Sequence, residues 1–296
     1  MTPDPGPRPV RPRPRGSGDG WVDCGCGARH WGLHGAAGVV VADAWPATRI
    51  VLQLRADWSH FGGTWGVPGG AIHADETPVV GGLREAEEES GVIAAHLRVF
   101  ATTALHHPDW SYTTALARLT APVDPRPTDD ESAAIEWVDV DAVADLPLHP
   151  AFADAWPRLR PLLTRRVVLV VDAANVVGSR PDGWWKDRHG ATERLRDELA
   201  ARTETGFPAA ALGLPADTWS PDVVLVTEGA ARDVGPVDAV SVVAAPGSGD
   251  DEIVAQVAAL TNDQQAQVIV ATADRGLIGR VTALGAAVVG PRTVRD

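Results

Sequence analysis

Residues 70–92 read GAIHADETPVVGGLREAEEESGV. Thr77 is a good N-cap, and Pro78 suits the first helical position, where its missing N–H costs nothing. Gly91 suits the left-handed position that ends a helix. The segment therefore predicts a helix over 78–90, carrying Glu85, Glu87, Glu88 and Glu89 in under two turns. Like charges at i,i+4 weaken an isolated helix by roughly 0.2–0.5 kcal/mol per pair, so the crowding needs a reason. Glu85, Glu88 and Glu89 sit at i, i+3 and i+4 and share a face, leaving Glu87 off it and solvated. Either that face is simply solvated, or its hard carboxylate oxygens gather a Mg²⁺ or Mn²⁺ ion. Gly81 and Gly82 interrupt the helix at roughly 1 kcal/mol each relative to Ala, which implies close packing of a neighbouring loop.

Around this helix the chain reads as β-rich. Residues 37–55 give two strands about a Pro-containing turn, SHFGGTWGVPGG is a Gly-rich loop, and LRVFATTAL, SYTTALARL and AAIEWVDV follow as strands. AFADAWPRLRPLLTRR reads as a closing helix broken by prolines. From Val167 the texture changes. VVLVV is the continuous β-branched run of a strand buried on both faces of a parallel sheet, and helices and strands alternate after it, which predicts a three-layer α/β domain. The organisation expected is a Pro/Arg-rich disordered arm over 1–20, an α+β domain over 21–164 and an α/β domain over 165–296.

The formal net charge of −13 on 296 residues argues against broad attraction to nucleic acid or anionic membranes. No apolar stretch is long enough to span a bilayer, and the first twenty residues lack the apolar core of a secretory signal. The only cysteines, Cys24 and Cys26, are too close for an ordinary structural disulfide, which fits a reducing, cytoplasmic setting. With His30 and His34 they have the ligand types of a tetrahedral zinc site. Yet C-x-C-x3-H-x3-H is not a standard finger spacing and no second Cys pair follows, so a strand and turn is favoured there and zinc at Cys24 and Cys26 is not expected.

Read from Gly70, the segment has five residues, Glu76, seven residues, and then REAEEESGV, with Ala86 and Val92 at the apolar positions. This resembles the Nudix box, G-x5-E-x7-R-E-U-x-E-E-x-G-U, at every defining position. The resemblance implies an α+β Nudix fold, a mixed sheet sandwiched by helices, that binds Mg²⁺ or Mn²⁺ and hydrolyses a nucleoside diphosphate linked to another moiety. It implies Glu85, Glu88 and Glu89 as metal ligands, with Gly70 supplying a backbone oxygen. Arg84 and Glu76 become the ion pair that orients the helix. Glu85 or the downstream Glu131 is the candidate general base. GTWGVPGG before the box and ESAAIEWVDVDAVADLPLHPAF after it resemble the MutT-like branch, which acts on nucleoside triphosphates; an oxidised purine is a candidate substrate. Trp65, Trp110 and Trp137 are candidates to stack on a base, against core packing for each. His106, His107 and His149 are phosphate candidates, against surface or capping roles. The four-Cys zinc ribbon of Nudix NADH pyrophosphatases is missing.

In the second half, VVLVVDAANVVGS puts Asp172 and Asn175 at the carboxyl end of a strand, where open α/β sheets bind ligands. Glu228 ends another strand, Asp250 and Asp251 open a helix, and Asp274 follows a late strand. Singly these are caps and turn residues; together they line one sheet edge. The set resembles the NYN branch of PIN-like ribonucleases, especially the YacP-like group, over about 165–296. That resemblance implies Mg²⁺-dependent RNA cleavage, with Asp172, Asp250 and Asp274 as ligands, Asn175 in support and Glu228 the weakest match. Arg180, Trp184, Trp185, Lys186 and Arg188 are then candidates to contact RNA, against a solvated loop. A noncatalytic RNA- or partner-binding module is the competing reading, and the oligomeric state stays open.

Overall fold

Arg166–Asp172, the strand that contains VVLVV, forms the middle of a parallel sheet, with Val167–Val171 all buried. The computed structural model describes residues 16–262 and 266–295. The predicted arm lies mostly outside them.

The first half contains β1 (Trp21–Asp23), β2 (Arg29–Trp31), β3 (Ala36–Ala42), β4 (Arg49–Arg55), β5 (Trp65–Gly66) and β6 (Gly69–Ala71). Helix α1 (Pro78–Ser90), β7 (Leu97–His106), β8 (Ser111–Leu119), β9 (Ser132–Asp139) and α2 (Pro150–Leu159) complete it. The second half contains β10 (Arg166–Asp172), α3 (Ala173–Gly178), α4 (Arg188–Thr205), β11 (Phe207–Pro208), β12 (Thr218–Trp219), β13 (Asp222–Thr227) and β14 (Val240–Ala244). It ends with α5 (Gly249–Thr261), β15 (Ala266–Ala271), α6 (Arg275–Thr282), β16 (Ala287–Val289) and α7 (Pro291–Val294).

The first sheet is mixed: β3 pairs β8 in parallel and β6 antiparallel, while β4 pairs β9 antiparallel. Helix α1 lies across β3 through its glycines. A Cβ on Gly82 would stand 3.3 Å from the Ala37 Cβ, and one on Gly81 would stand 3.1 Å from Glu76 Oε2. The helix-weakening glycines are thus offset by close packing on β3 and on the loop that carries Glu76. Thr77 caps the helix through the Val80 N–H, and Gly91 ends it at φ 66°.

The second sheet is fully parallel in the order β14-β13-β10-β15-β16. The chain leaves β10 in one direction for β13 and β14 and returns on the other side as β15, so the strand order reverses between β10 and β15. Ligand crevices of open α/β sheets lie at such a point, beyond the carboxyl ends of the strands.

The segment 206–220 behaves in a way its sequence does not announce. Strand β12 pairs antiparallel with β7, and β11 pairs with β12, so two short strands from the second half extend the first sheet. Trp219, 1% exposed, packs against Phe100 within one hydrophobic cluster that draws on both halves. Beside it, Asp222 takes Arg118 at 2.9 Å, Arg166 at 3.2 Å and Arg98 at 3.4 Å. The halves share a sheet, a core and an ion-pair cluster. Among the described residues no helix is long and apolar enough to cross a membrane.

Candidate active site

The sequence-predicted residues of 70–92 meet under the β6 loop. Arg84 grips Glu76 through Nε to Oε1 at 2.7 Å and Nη2 to Oε2 at 3.1 Å, and Nη2 also reaches the Ala71 carbonyl at 3.0 Å. Its Nη1 donates to Glu85 at 2.9 Å and to Glu88 at 3.0 Å. Glu76 in turn accepts the His73 N–H at 3.0 Å, and these donors hold its carboxyl below the usual range.

Glu89 is the buried carboxylate of the set. It is 6% exposed and accepts the Gly69 N–H at 2.8 Å. Burial pushes its carboxyl up to about 8, with the charges of Glu85 and Asp129 adding to the effect. Burial also raises Glu85, against the pull of Arg84. Gly70 is required for this approach, because a Cβ there would stand 2.6 Å from the Glu85 carboxyl. Glu88 projects outward, its side chain 60% exposed. Glu87 is not merely solvated: it accepts the Ala94 N–H at 3.1 Å and anchors the turn after the helix.

Glu131 arrives by a different route. Arg126 N–H and Thr128 N–H donate to the Ser90 and Glu89 carbonyls at the end of α1, which wraps the 126–131 segment around the helix terminus. Asp129 accepts the Glu131 N–H at 3.0 Å, and burial followed by Asp129 raises the Glu131 carboxyl. Three further groups are present that sequence reasoning did not single out. Asp19 is close enough to raise both Glu85 and Glu131, Arg55 counteracts that at Glu131, and Tyr112 feels Glu89 and Glu85. Asp19 is held there because Ala74 N–H bonds the Gly16 carbonyl and Leu33 N–H the Gly18 carbonyl. No local motif encodes that pairing.

The aromatic candidates separate. Trp65 packs on the core, Trp110 stacks on His30 at 4.4 Å, and Trp137 lies under the Arg49 guanidinium. His106 is exposed, and His107 packs against His30 at 4.3 Å. His149 sits at the start of α2 against Phe61, and burial lowers its imidazole to about 4.

A NUDIX domain profile matches residues 32–160. A Mycobacterium tuberculosis protein named "Putative 8-oxo-dGTP diphosphatase 3" is 46% identical over 151 residues, covering 48% of this chain and 68% of that one. The chain belongs to the Nudix family. A Bifidobacterium longum "Nucleoside triphosphate pyrophosphatase/Nudix hydrolase fusion protein" is 44% identical over 145 residues, and the match spans 47% of this chain but 30% of that protein. The crystal structure of the Mycobacterium smegmatis Nudix hydrolase RenU is 44% identical, covering 49% of this chain and 94% of that one at a TM-score of 0.45. All three matches account for about half of this chain.

The second acidic set lies outside the stretch matched by the Nudix profile. Asp172, 7% exposed, caps α3 through the Asn175 N–H at 3.0 Å and accepts Thr272 Oγ1 at 2.8 Å. Asn175 Oδ1 accepts the Ala273 N–H at 2.8 Å, tying the ends of β10 and β15 together. Burial raises Asp172, with Asp250 and Glu228 adding to it. Asp250 is raised by burial and by Asp274. Glu228 accepts the Gly249 N–H at 2.7 Å, and Asp274 caps α6 through the Leu277 N–H. Asp251 points elsewhere and pairs with Arg280 at 2.6 Å. In the 180–188 loop Trp184 packs on the core beneath Arg188, while Trp185 is 55% exposed.

Proposed function

We propose that the first half is a divalent-metal-dependent pyrophosphohydrolase acting on a nucleoside triphosphate, with an oxidised purine nucleotide the leading candidate. The observation that carries it is the buried Glu89 and the half-buried Glu85, both raised by burial and packed against Gly69–Gly70 with Glu88 beside them. These are hard oxygen donors whose burial one arginine and one backbone N–H only partly offset, and they fit Mg²⁺ or Mn²⁺. When bound, such an ion would supply charge neutralisation at the diphosphate and acidify the attacking water. Glu85, Glu88, Glu89 and the Gly70 backbone oxygen would hold it.

The protein's own groups do the rest. Arg84 and Glu76 fix the helix against the β6 loop. Arg84 engages Glu85 at 2.9 Å, whereas Glu131 accepts no arginine at hydrogen-bond distance among the described residues. On that difference we favour Glu131 over Glu85 as the base that takes the proton of the attacking water. The substrate class rests on the 8-oxo-dGTP name of the mycobacterial relative and on the MutT-like flanks of the box. The test is phosphate or pyrophosphate release from a panel of normal and oxidised nucleotides with Mg²⁺, for wild type and for Glu88→Gln and Glu89→Gln. Absence of metal-dependent turnover on every nucleotide refutes the reading.

A second reading concerns the other half. Asp172, Asp250, Asp274 and Glu228 gather at one edge of the parallel sheet, where burial raises Asp172 and Asp250, with Asp250 and Glu228 adding to the first and Asp274 and Glu228 to the second. This supports a PIN-like, metal-dependent nuclease edge, with RNA as the partner. RNA cleavage unchanged in Asp172→Asn with Asp274→Asn rejects it, and RNA binding without cleavage favours a recruiting module instead.

A further inference from the structure

Among the described residues, Cys24, Cys26 and His30 are the one group of three His, Cys, Asp or Glu side chains whose ligand atoms all lie within 4.8 Å of one another. Cys26 Sγ and His30 Nε2 are 3.2 Å apart. Cys24 and Cys26 occupy the turn between β1 and β2, closed by Gly27 N–H to the Cys24 carbonyl at 2.9 Å and Cys24 N–H to the Ala28 carbonyl at 3.0 Å. That turn folds His30, on β2, back toward both sulfurs. His34, weighed in the sequence as a fourth ligand, is not in the group.

The surroundings fix this arrangement. The His30 ring is held between two side chains of the β7–β8 connection, stacked on Trp110 at 4.4 Å with an interplanar angle of 11° and against His107 at 4.3 Å. Asp109, from the same connection, accepts the N–H of Gly25 at 2.7 Å and so grips the residue between the two cysteines. Trp110 Nε1 donates to the Trp31 carbonyl at 3.0 Å, fastening the neighbouring end of β2. Spacing was the objection to zinc at the sequence level, and here a second hairpin supplies what a standard finger spacing would have supplied.

We propose that Cys24, Cys26 and His30 bind a zinc ion that closes the β1–β2 hairpin where it packs against the β7–β8 connection. Two thiolates and an imidazole are the donors zinc prefers. Zn–S and Zn–N bonds of about 2.3 and 2.0 Å place neighbouring ligands of a tetrahedral ion about 3.5–3.8 Å apart, within reach of the observed cluster. Solvent takes the fourth position, since Cys26 is exposed. Asp109 and the ring pair orient the ligands, the part that outlying hydrogen-bond partners play in metal sites.

The full chain, stripped of metal and kept under a phosphine reductant, is titrated with Co²⁺ and then Zn²⁺. The expected result is one thiolate-to-cobalt charge-transfer band, bleached by one equivalent of Zn²⁺. Because the chain has only two cysteines, any such band reports on Cys24 and Cys26. The band survives Glu88→Gln with Glu89→Gln, which separates this site from the carboxylate site, and it disappears in His30→Ala or shifts out of the tetrahedral pattern. Asp109→Ala, which removes the acceptor of the Gly25 N–H, weakens Zn²⁺ binding about tenfold. No charge-transfer band in wild-type protein whose two thiols both titrate as free overturns the proposal. So does one that His30→Ala leaves unaltered.

Discussion

Arg84 holds Glu76 in a two-pronged grip, Nε to Oε1 at 2.7 Å and Nη2 to Oε2 at 3.1 Å, while its remaining Nη1 touches Glu85 and Glu88. One guanidinium thus sets the distance between the loop after β6 and the acidic face of α1. Lysine keeps the charge but not the planar fork. Arg84→Lys should lower kcat by about 10²-fold, the usual cost of an ångström-scale misplacement, with KM little changed. Steady-state kinetics on the best nucleotide decide it, and an unaltered kcat removes the orienting role.

Glu89 gives a pH signature. Its ordinary value is 4.5 and burial moves it to about 8 in the folded chain. Between these values the unfolded chain has lost the proton and the folded chain keeps it, so metal-free stability falls as pH rises through the window. Melting temperatures in chelator should therefore decline from pH 4.5 to 8 more steeply in wild type than in Glu89→Gln. Saturating Mg²⁺ should narrow the gap, because an ion compensates the carboxylate. Parallel pH profiles for the two proteins would remove Glu89 as a buried acid.

For Glu131 the expectation is kinetic. Glu131→Gln should cut kcat by about 10²–10⁴-fold, the range for a positioned general base, and should abolish the acid limb of the pH–rate profile. Glu85→Gln, in contrast, should lose metal affinity as well as rate. Isothermal titration with Mn²⁺ separates the two, and a Glu131→Gln enzyme with its acid limb intact assigns the proton transfer elsewhere.

Trp219 and Asp222 predict that the halves melt as one. Removing a fully buried Trp costs about 3–5 kcal/mol, and here the cavity opens beneath the first sheet as well as the second. Trp219→Ala should lower the single calorimetric transition of the whole protein. Two separate transitions, with the one assigned to residues 21–164 unmoved, would show that the shared sheet carries no coupling.

Local chemistry made much of this protein legible without coordinates. The Thr77 cap, Pro78, the Gly91 stop and the shared face of Glu85, Glu88 and Glu89 depend on spacing along one helix. The buried run at Val167–Val171 depends on side chains within one strand. Such features are set by neighbours a few residues away, so the sequence determined them on its own. What it could not determine was anything settled by hydrogen bonds between distant segments. Strands of two residues at 207–208 and 218–219 carry no periodicity, and only pairing with β7 makes them strands. Asp19 reaches the carboxylates through backbone bonds to residues 33 and 74, and Asp251 left the second acidic set because Arg280 was within 2.6 Å. The same reason governs Cys24, Cys26 and His30. Their spacing argued against a metal, and the tertiary structure gathered them by clamping the His30 ring from a hairpin some eighty positions away.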